Sequence, residues 1–180
     1  MPKNDNPHAL RLLTALREHV GEEAATAFAK KHSLSKSADV DRKFCWAQEI
    51  CTALSDAFAP ETATSVRRAC RCGDGATMAK EISACIRKAG SLAEGCALFS
   101  QKNKYAFLEY VDAHTLIFGY HACVCSCIKR AAGNVPMLWC ECSAGYVDAM
   151  FRQVFGETVS ARMQGTVKSG APRCTFLIHW

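Results

Sequence analysis

The run from Tyr120 to Cys142 concentrates the side chains best suited to chemistry: it holds Cys123, Cys125, Cys127, Cys140 and Cys142, five of the chain's twelve cysteines. On an extended chain residues i, i+2 and i+4 share a face, so Cys123, Cys125 and Cys127 can present their sulfurs together, and Cys140 with Cys142 can do the same. Two such segments facing each other make a thiolate pocket. Deprotonated sulfur suits zinc in a tetrahedral site, and also copper(I) or an iron–sulfur cluster. Cys-x-Cys spacing is less diagnostic than Cys-x-x-Cys, and the competing reading is that some of these thiols face inward as small core residues. His121 precedes the cluster and offers an imidazole ligand or a general base; a histidine that is simply hydrogen-bonded is the alternative. Cys70-Arg71-Cys72 follows Arg67 and Arg68. Neighbouring positive charge activates a thiol, while the plainer reading is a helix end with Cys70 buried and Cys72 solvated. No Ser-His-Asp order, P-loop or dinucleotide fingerprint is present.

Composition narrows the setting. A chain of 180 residues with 49% hydrophobic and 9% aromatic residues fits one domain with a real core, residues 1–180. No apolar run approaches the length of a bilayer span, and Met-Pro-Lys-Asn-Asp-Asn-Pro at the start lacks the apolar segment of a secretory leader. The expectation is therefore a cytoplasmic protein whose thiols stay reduced. The net charge of +5 is scattered in pairs such as Lys30-Lys31 and Lys129-Arg130. Without a basic stripe interleaved with aromatics, neither nucleic acid nor membrane is an expected partner.

The elements that must position these residues can be read from periodicity. Asn6-Pro7 opens a helix with Leu13, Leu16, Val20, Ala24 and Phe28 on one stripe, and Val40, Phe44, Ala47, Cys51, Leu54 and Phe58 mark a second, in which Cys45 and Trp46 also pack. Pro60 opens a third helix, stopped at Gly73-Asp74-Gly75; a fourth carries Met78, Ile82 and Cys85, and Ser91 to Glu94 caps a short fifth. Residues 1–100 are thus helical. Beyond Lys104, Tyr105–Val111 and Thr115–Tyr120 flank Asp112-Ala-His114 as a hairpin, and Ser143 caps a helix with Val147, Met150, Phe151 and Val154 inward. Alternation over Val159–Lys168 and Cys174–Trp180 gives a second hairpin. The fold class is α+β, a helical N-terminal half packed on a C-terminal antiparallel sheet with an intervening helix.

Cys140-x-x-x-x-Gly145-Tyr146, the helix to Phe155-Gly156, a strand, Gly170 and Cys174-x-Phe176-x-Ile178 follow one another in residues 101–180. In that order and spacing the segment resembles the 4-vinyl-reductase-type ligand-binding domain superfamily, which includes the sensor domains of phenol-responsive activators. The resemblance implies a small apolar ligand held between helices and sheet, and a homodimer. Its zinc-bearing sensors have cysteines at the places of Cys140 and Cys174, but here their other two ligand positions are Met163 and Thr166. Either no metal binds or, as the preferred reading, the site is rebuilt, the local surplus at Cys123, Cys125, Cys127 and Cys142 replacing the missing ligands beside Cys140 and Cys174.

These readings combine into an expected small-molecule-binding or sensor domain with a zinc–thiolate site of Cys123, Cys125, Cys140, Cys142 and Cys174. Phe107, His121, Trp139, Tyr146 and Phe151 are the candidate ligand-contacting side chains. Two alternatives stay open. One is a small-molecule hydrolase with Cys142 or Cys72 as nucleophile and His121 as base; the other is a redox or iron–sulfur protein.

Overall fold

A computed structural model describes residues 4–180, so that the first three residues of the segment read as lacking a leader lie outside the described residues. The chain forms two compact units: the first runs to Arg71 and takes in Cys125–Cys142, and the second comprises Cys72–Val124 and Ser143–Trp180. The chain is α+β, with seven α-helices and one four-stranded antiparallel sheet among the described residues. None of these helices is long and apolar enough to cross a membrane.

The first unit is built from helices α1 (Pro7–Val20), α2 (Glu22–Lys31), α3 (Val40–Ala57) and α4 (Pro60–Ala69). Asn6 caps α1 by accepting from His8 N at 3.0 Å, and its own Nδ2 donates to Ser35 O, which ties the entering chain to the loop before α3. Asp39 caps α3 in the same way, through Arg42 N. The single helix expected over Pro7–Phe28 is two. Gly21 sits at φ 89°, where an L side chain is strained, and the acidic Glu22 and Glu23 then favour a fresh helix start. The buried stripe of α1 is Ala9, Leu12, Ala15 and Leu16, with Leu12 inward in place of the expected Leu13. In α3, Trp46, Ala47, Ile50, Cys51 and Leu54 are buried as the spacing requires, but Cys45 is exposed.

The second unit places helices α5 (Ala76–Lys88) and α6 (Leu92–Lys102) with strands β1 (Ala106–Asp112), β2 (Thr115–Tyr120), β3 (Ser160–Gly165) and β4 (Cys174–His179). The strand order is β1-β2-β4-β3 and every pairing is antiparallel. Both expected hairpins are present, although β3 stops early. Thr166 caps a 3-10 turn over Val167–Ser169, and Gly170 at φ 98° completes the reversal. Leu108, Phe118, Phe176 and Met163 stand side by side in register on the buried face. Ser100 of α6 secures the outer edge of β1, donating to Leu108 O and accepting from Leu108 N, each at 2.8 Å. The outward backbone groups of Leu108 on this edge strand are thereby satisfied.

Helix α7 (Met137–Phe155) differs most from expectation, starting six residues before Ser143. Pro136 precedes it, Trp139 N bonds to Pro136 O, and nothing in Met-Leu-Trp-Cys-Glu-Cys interrupts a helix. Cys140 and Cys142 are therefore helical, about 200° apart around the axis, and do not share the face an extended chain would give them.

On the other side of the sheet, the Phe107 ring occupies the space beside Gly119, its cross-strand partner. A Cβ at Gly119 would collide with Phe107 Cζ and Cε1 and fall within 2.6 Å of Cys174 O. Gly119→Ala is expected to cost about 2–3 kcal/mol through overpacking, read as a lower urea midpoint at unchanged m-value; a midpoint equal to that of the parent would contradict this packing.

Candidate functional site

The most unusual chemistry lies within the first unit, around Arg67. Ala63, Val66 and Arg67 form the inward stripe of α4, continued by the buried Cys70 at its C-cap, so helical register carries this guanidinium inside, where it is 3% exposed. Arg67 Nη2 donates to Trp139 O at 2.6 Å, and Cζ lies 4.1 Å from the Trp139 ring centroid. Trp139 in turn meets Trp46 edge-on, with centroids 5.7 Å apart at 83°, and Trp46 Nε1 donates to His32 O. A cation over an indole face is attracted by the ring quadrupole, most strongly when water is excluded.

Among the described residues Arg67 forms no ion pair with a carboxylate. Glu141, the nearest acid along α7 from Trp139, is engaged by Arg68 at 2.9 Å. The ionisable groups that act on its charge are thiols. Burial works against its charge, but the thiols of Cys70, Cys142, Cys51 and Cys125 outweigh this and raise its pKa. Cys142 Sγ donates to the same Trp139 oxygen at 3.5 Å, and Cys70 Sγ donates to Val66 O at 3.2 Å. Burial pushes the Cys51 thiol up to about 11 against the opposing pull of Arg67, and burial with the neighbouring Cys125 pushes Cys127 up to about 12. Among the described residues three buried N–H groups find no acceptor, Arg67 Nε, Trp139 Nε1 and Arg11 Nε. Such groups are uncommon in folded proteins and mark a site under functional or structural constraint.

A second cation stands beside this cluster. Arg11 Nη2 lies 2.8 Å from His8 Nδ1; because a guanidinium only donates, His8 is the neutral tautomer protonated on Nε2, which donates to Ser126 Oγ at 3.2 Å. Burial, followed by the charges of Arg11, Arg67 and Lys43, lowers the His8 pKa to about 4.

The thiols and rings singled out in the sequence are distributed over both units. Cys125, Trp139, Cys140 and Cys142 belong to the first, whereas Cys123, Cys174, Phe107, His121, Tyr146 and Phe151 belong to the second. Cys140 and Cys174 are buried, and Cys123, Cys125 and Cys142 are half-buried. Cys174 Sγ accepts from Val167 N at 3.5 Å. Among the described residues no three His, Cys, Asp or Glu side chains converge as a metal ion would need. Phe107 and His121 do meet, with rings 5.1 Å apart, and the Arg173 guanidinium covers Phe107 at 4.4 Å. Phe151 packs on Phe118, which occupies the opposite face of the sheet from Gly119 and Phe107, so Phe107 and Phe151 do not line a common pocket. Tyr146 is half-buried, its phenol pKa raised by burial and by Asp74 and Cys72. Cys70 is buried and Cys72 exposed, as the plainer reading required. Arg67 itself is the site residue that sequence reasoning missed. The stripe Ala63, Val66, Arg67, Cys70 carried the signal, which the adjacent Arg68 disguised as a solvated basic pair.

The fold and this site define an α+β protein with a buried arginine held on a tryptophan carbonyl and ring. The chain belongs to DUF6144, a family of unknown function, whose profile matches residues 8–179. No curated protein matches it. Among solved structures it is similar to an H-NOX domain from Shewanella oneidensis, determined by NMR in the Fe(II)CO ligation state, with 11% identity over 97% of each chain and a TM-score of 0.48.

His8 gives the site a pH signature. The unfolded imidazole binds its proton near pH 6.5 and the folded one only near 4, so the contribution of neutral His8 is complete above about 6.5 and is lost as pH falls toward 4. With the side chain partly exposed, the loss is on the order of 2 kcal/mol. His8→Gln is expected to flatten the stability profile between pH 6.5 and 4.5 relative to the parent in urea titrations; parallel profiles would refute the assignment.

Proposed function

We propose that the protein is a small-molecule-binding domain whose ligand enters a cleft of about 270 Å³ in the first unit. The observation that carries this reading is the lining. Phe58, Pro60, Ala63 and Leu138 form an apolar bed, and Ser55, Thr64 and Glu141 supply a few polar groups at its edge. An apolar concavity with a small number of placed polar atoms is the usual form of a ligand site. The volume lies just under the roughly 300–1,000 Å³ of pockets for drug-sized molecules, so the occupant is fragment-sized. The sequence resemblance also implied a small apolar ligand.

The charge in the cleft selects the ligand's polar end. Glu141 Oε2 is held by Arg68, with 16% of the glutamate side chain exposed. An ion pair of this partly exposed kind contributes about 1 kcal/mol or less, so a ligand ammonium can share or displace it. The favoured class is therefore a small amine with an aromatic or aliphatic body.

Phenethylamine, 2-phenylethanol and phenylacetate present the same body with a cation, a neutral group and an anion. At roughly 0.3–0.5 kcal/mol for each of about ten heavy atoms, binding falls in the millimolar range. Ligand-observed saturation-transfer NMR should rank the amine first and the acid last, and Leu138→Trp, which fills the cleft, should weaken amine binding at least tenfold. Equal signals from all three compounds, or binding untouched by Leu138→Trp, would count against the cleft.

A further inference from the structure

We infer that Cys142 is a hydroperoxide-reactive thiol and that Arg67 is the residue that holds its thiolate, a role independent of the ligand cleft. The argument starts from an imbalance. A cation that is 3% exposed loses most of its hydration, and such charges in proteins are paired or neutralised. Here the guanidinium has a carbonyl and an indole face but no carboxylate among the described residues. The ionisable groups left to balance it are sulfurs.

Geometry selects one of them. Arg67 Nη2 and Cys142 Sγ both donate to Trp139 O, at 2.6 and 3.5 Å, so one oxygen fixes guanidinium and sulfur as neighbours. While Cys142 is a thiol the two donors share that acceptor. When it ionises, the sulfur no longer donates, the carbonyl is left to Arg67, and the negative charge lies beside a guanidinium shielded from water. Cys70 and Cys51, at 4% and 2% exposed, are closed to solutes, whereas Cys142 is half-buried and within reach of a small oxidant. Trp139 Nε1, buried without an acceptor, adds a further N–H dipole to the same cluster.

Thiolate beside a fixed cation favours two-electron oxidation. The Cys142 sulfur lone pair attacks the distal oxygen of a hydroperoxide, and an S–O bond forms as the O–O bond breaks. Sulfur loses two electrons to the peroxide. The leaving alkoxide, or hydroxide from hydrogen peroxide, takes up from solvent the equivalent of the proton that the thiol released on ionising, and Cys142 becomes a sulfenic acid.

The test is site-resolved trapping of sulfenic acid with dimedone on the full chain, after brief exposure to hydrogen peroxide at pH 7. Exposed Cys45 and Cys72 serve as internal references. Cys142 is expected to be labelled at least tenfold faster than either. Arg67→Met should bring it to within about twofold of them, while Arg67→Lys, which keeps the charge, should retain most of the advantage. Labelling of Cys142 no faster than Cys45 and Cys72 overturns the inference, as does preferential labelling of Cys125. Equal loss in the Lys and Met variants overturns the role given to charge, and a Met variant that fails to fold leaves the parental ratio and the Lys variant to decide.

Discussion

Burying a guanidinium without a carboxylate is the constraint around which the first unit is arranged. Arg67 cannot leave the interior, because it lies on the same helical stripe as Ala63, Val66 and Cys70. Losing hydration there costs several kcal/mol unless charge and hydrogen bonds offset it. Trp139 offers both of its faces to the problem: a backbone oxygen for Nη2 and an indole ring for the delocalised cation. The ring is held in turn by Trp46, so the residue that receives the charge is itself locked in the core. Lysine would lack the planar surface for this stacking.

The same constraint explains why sulfur gathers at this place. Cysteine is small enough to pack beside an arginine, apolar enough to be buried as a thiol, and able to become an anion where a cation waits. Burial pulls in the other direction, and at Cys51 and Cys127 it prevails. The position of each thiol relative to water and to Arg67 thus divides a chemically uniform set into the buried Cys51 and Cys70 and the half-buried Cys125 and Cys142. Membership of a family of unknown function leaves this sorting as the most direct guide to chemistry.

The second unit solves a different problem, closing both faces of a short sheet. On one face Phe118 meets Phe151 and Phe176. On the other, the missing side chain of Gly119 makes room for Phe107, which Arg173 covers while pairing with Glu109 at 2.9 Å. The edge strand β1 is then tied to α6 through the Ser100 hydroxyl.

By itself the sequence determined the elements wherever one local rule governs. Alternation over Ala161 and Met163, and over Cys174, Phe176 and Ile178, specified the last hairpin and its buried face; caps at Asn6 and Ser91 and the turn at Asp112 set element boundaries, since each depends on neighbours a few residues away. Where two rules competed, sequence was ambiguous. Ser143 is a good cap and also tolerable inside a helix, and the choice went to the helix already growing from Pro136. That choice placed Cys140 and Cys142 on a helix and removed the shared face on which a thiolate pocket depended. Only tertiary structure could decide the partners of Arg67, because Trp139 O is 72 residues away along the chain and a carbonyl oxygen has no side-chain identity to read. Residue type records what a group can do, but burial and the company of distant backbone decide which groups are made to do it.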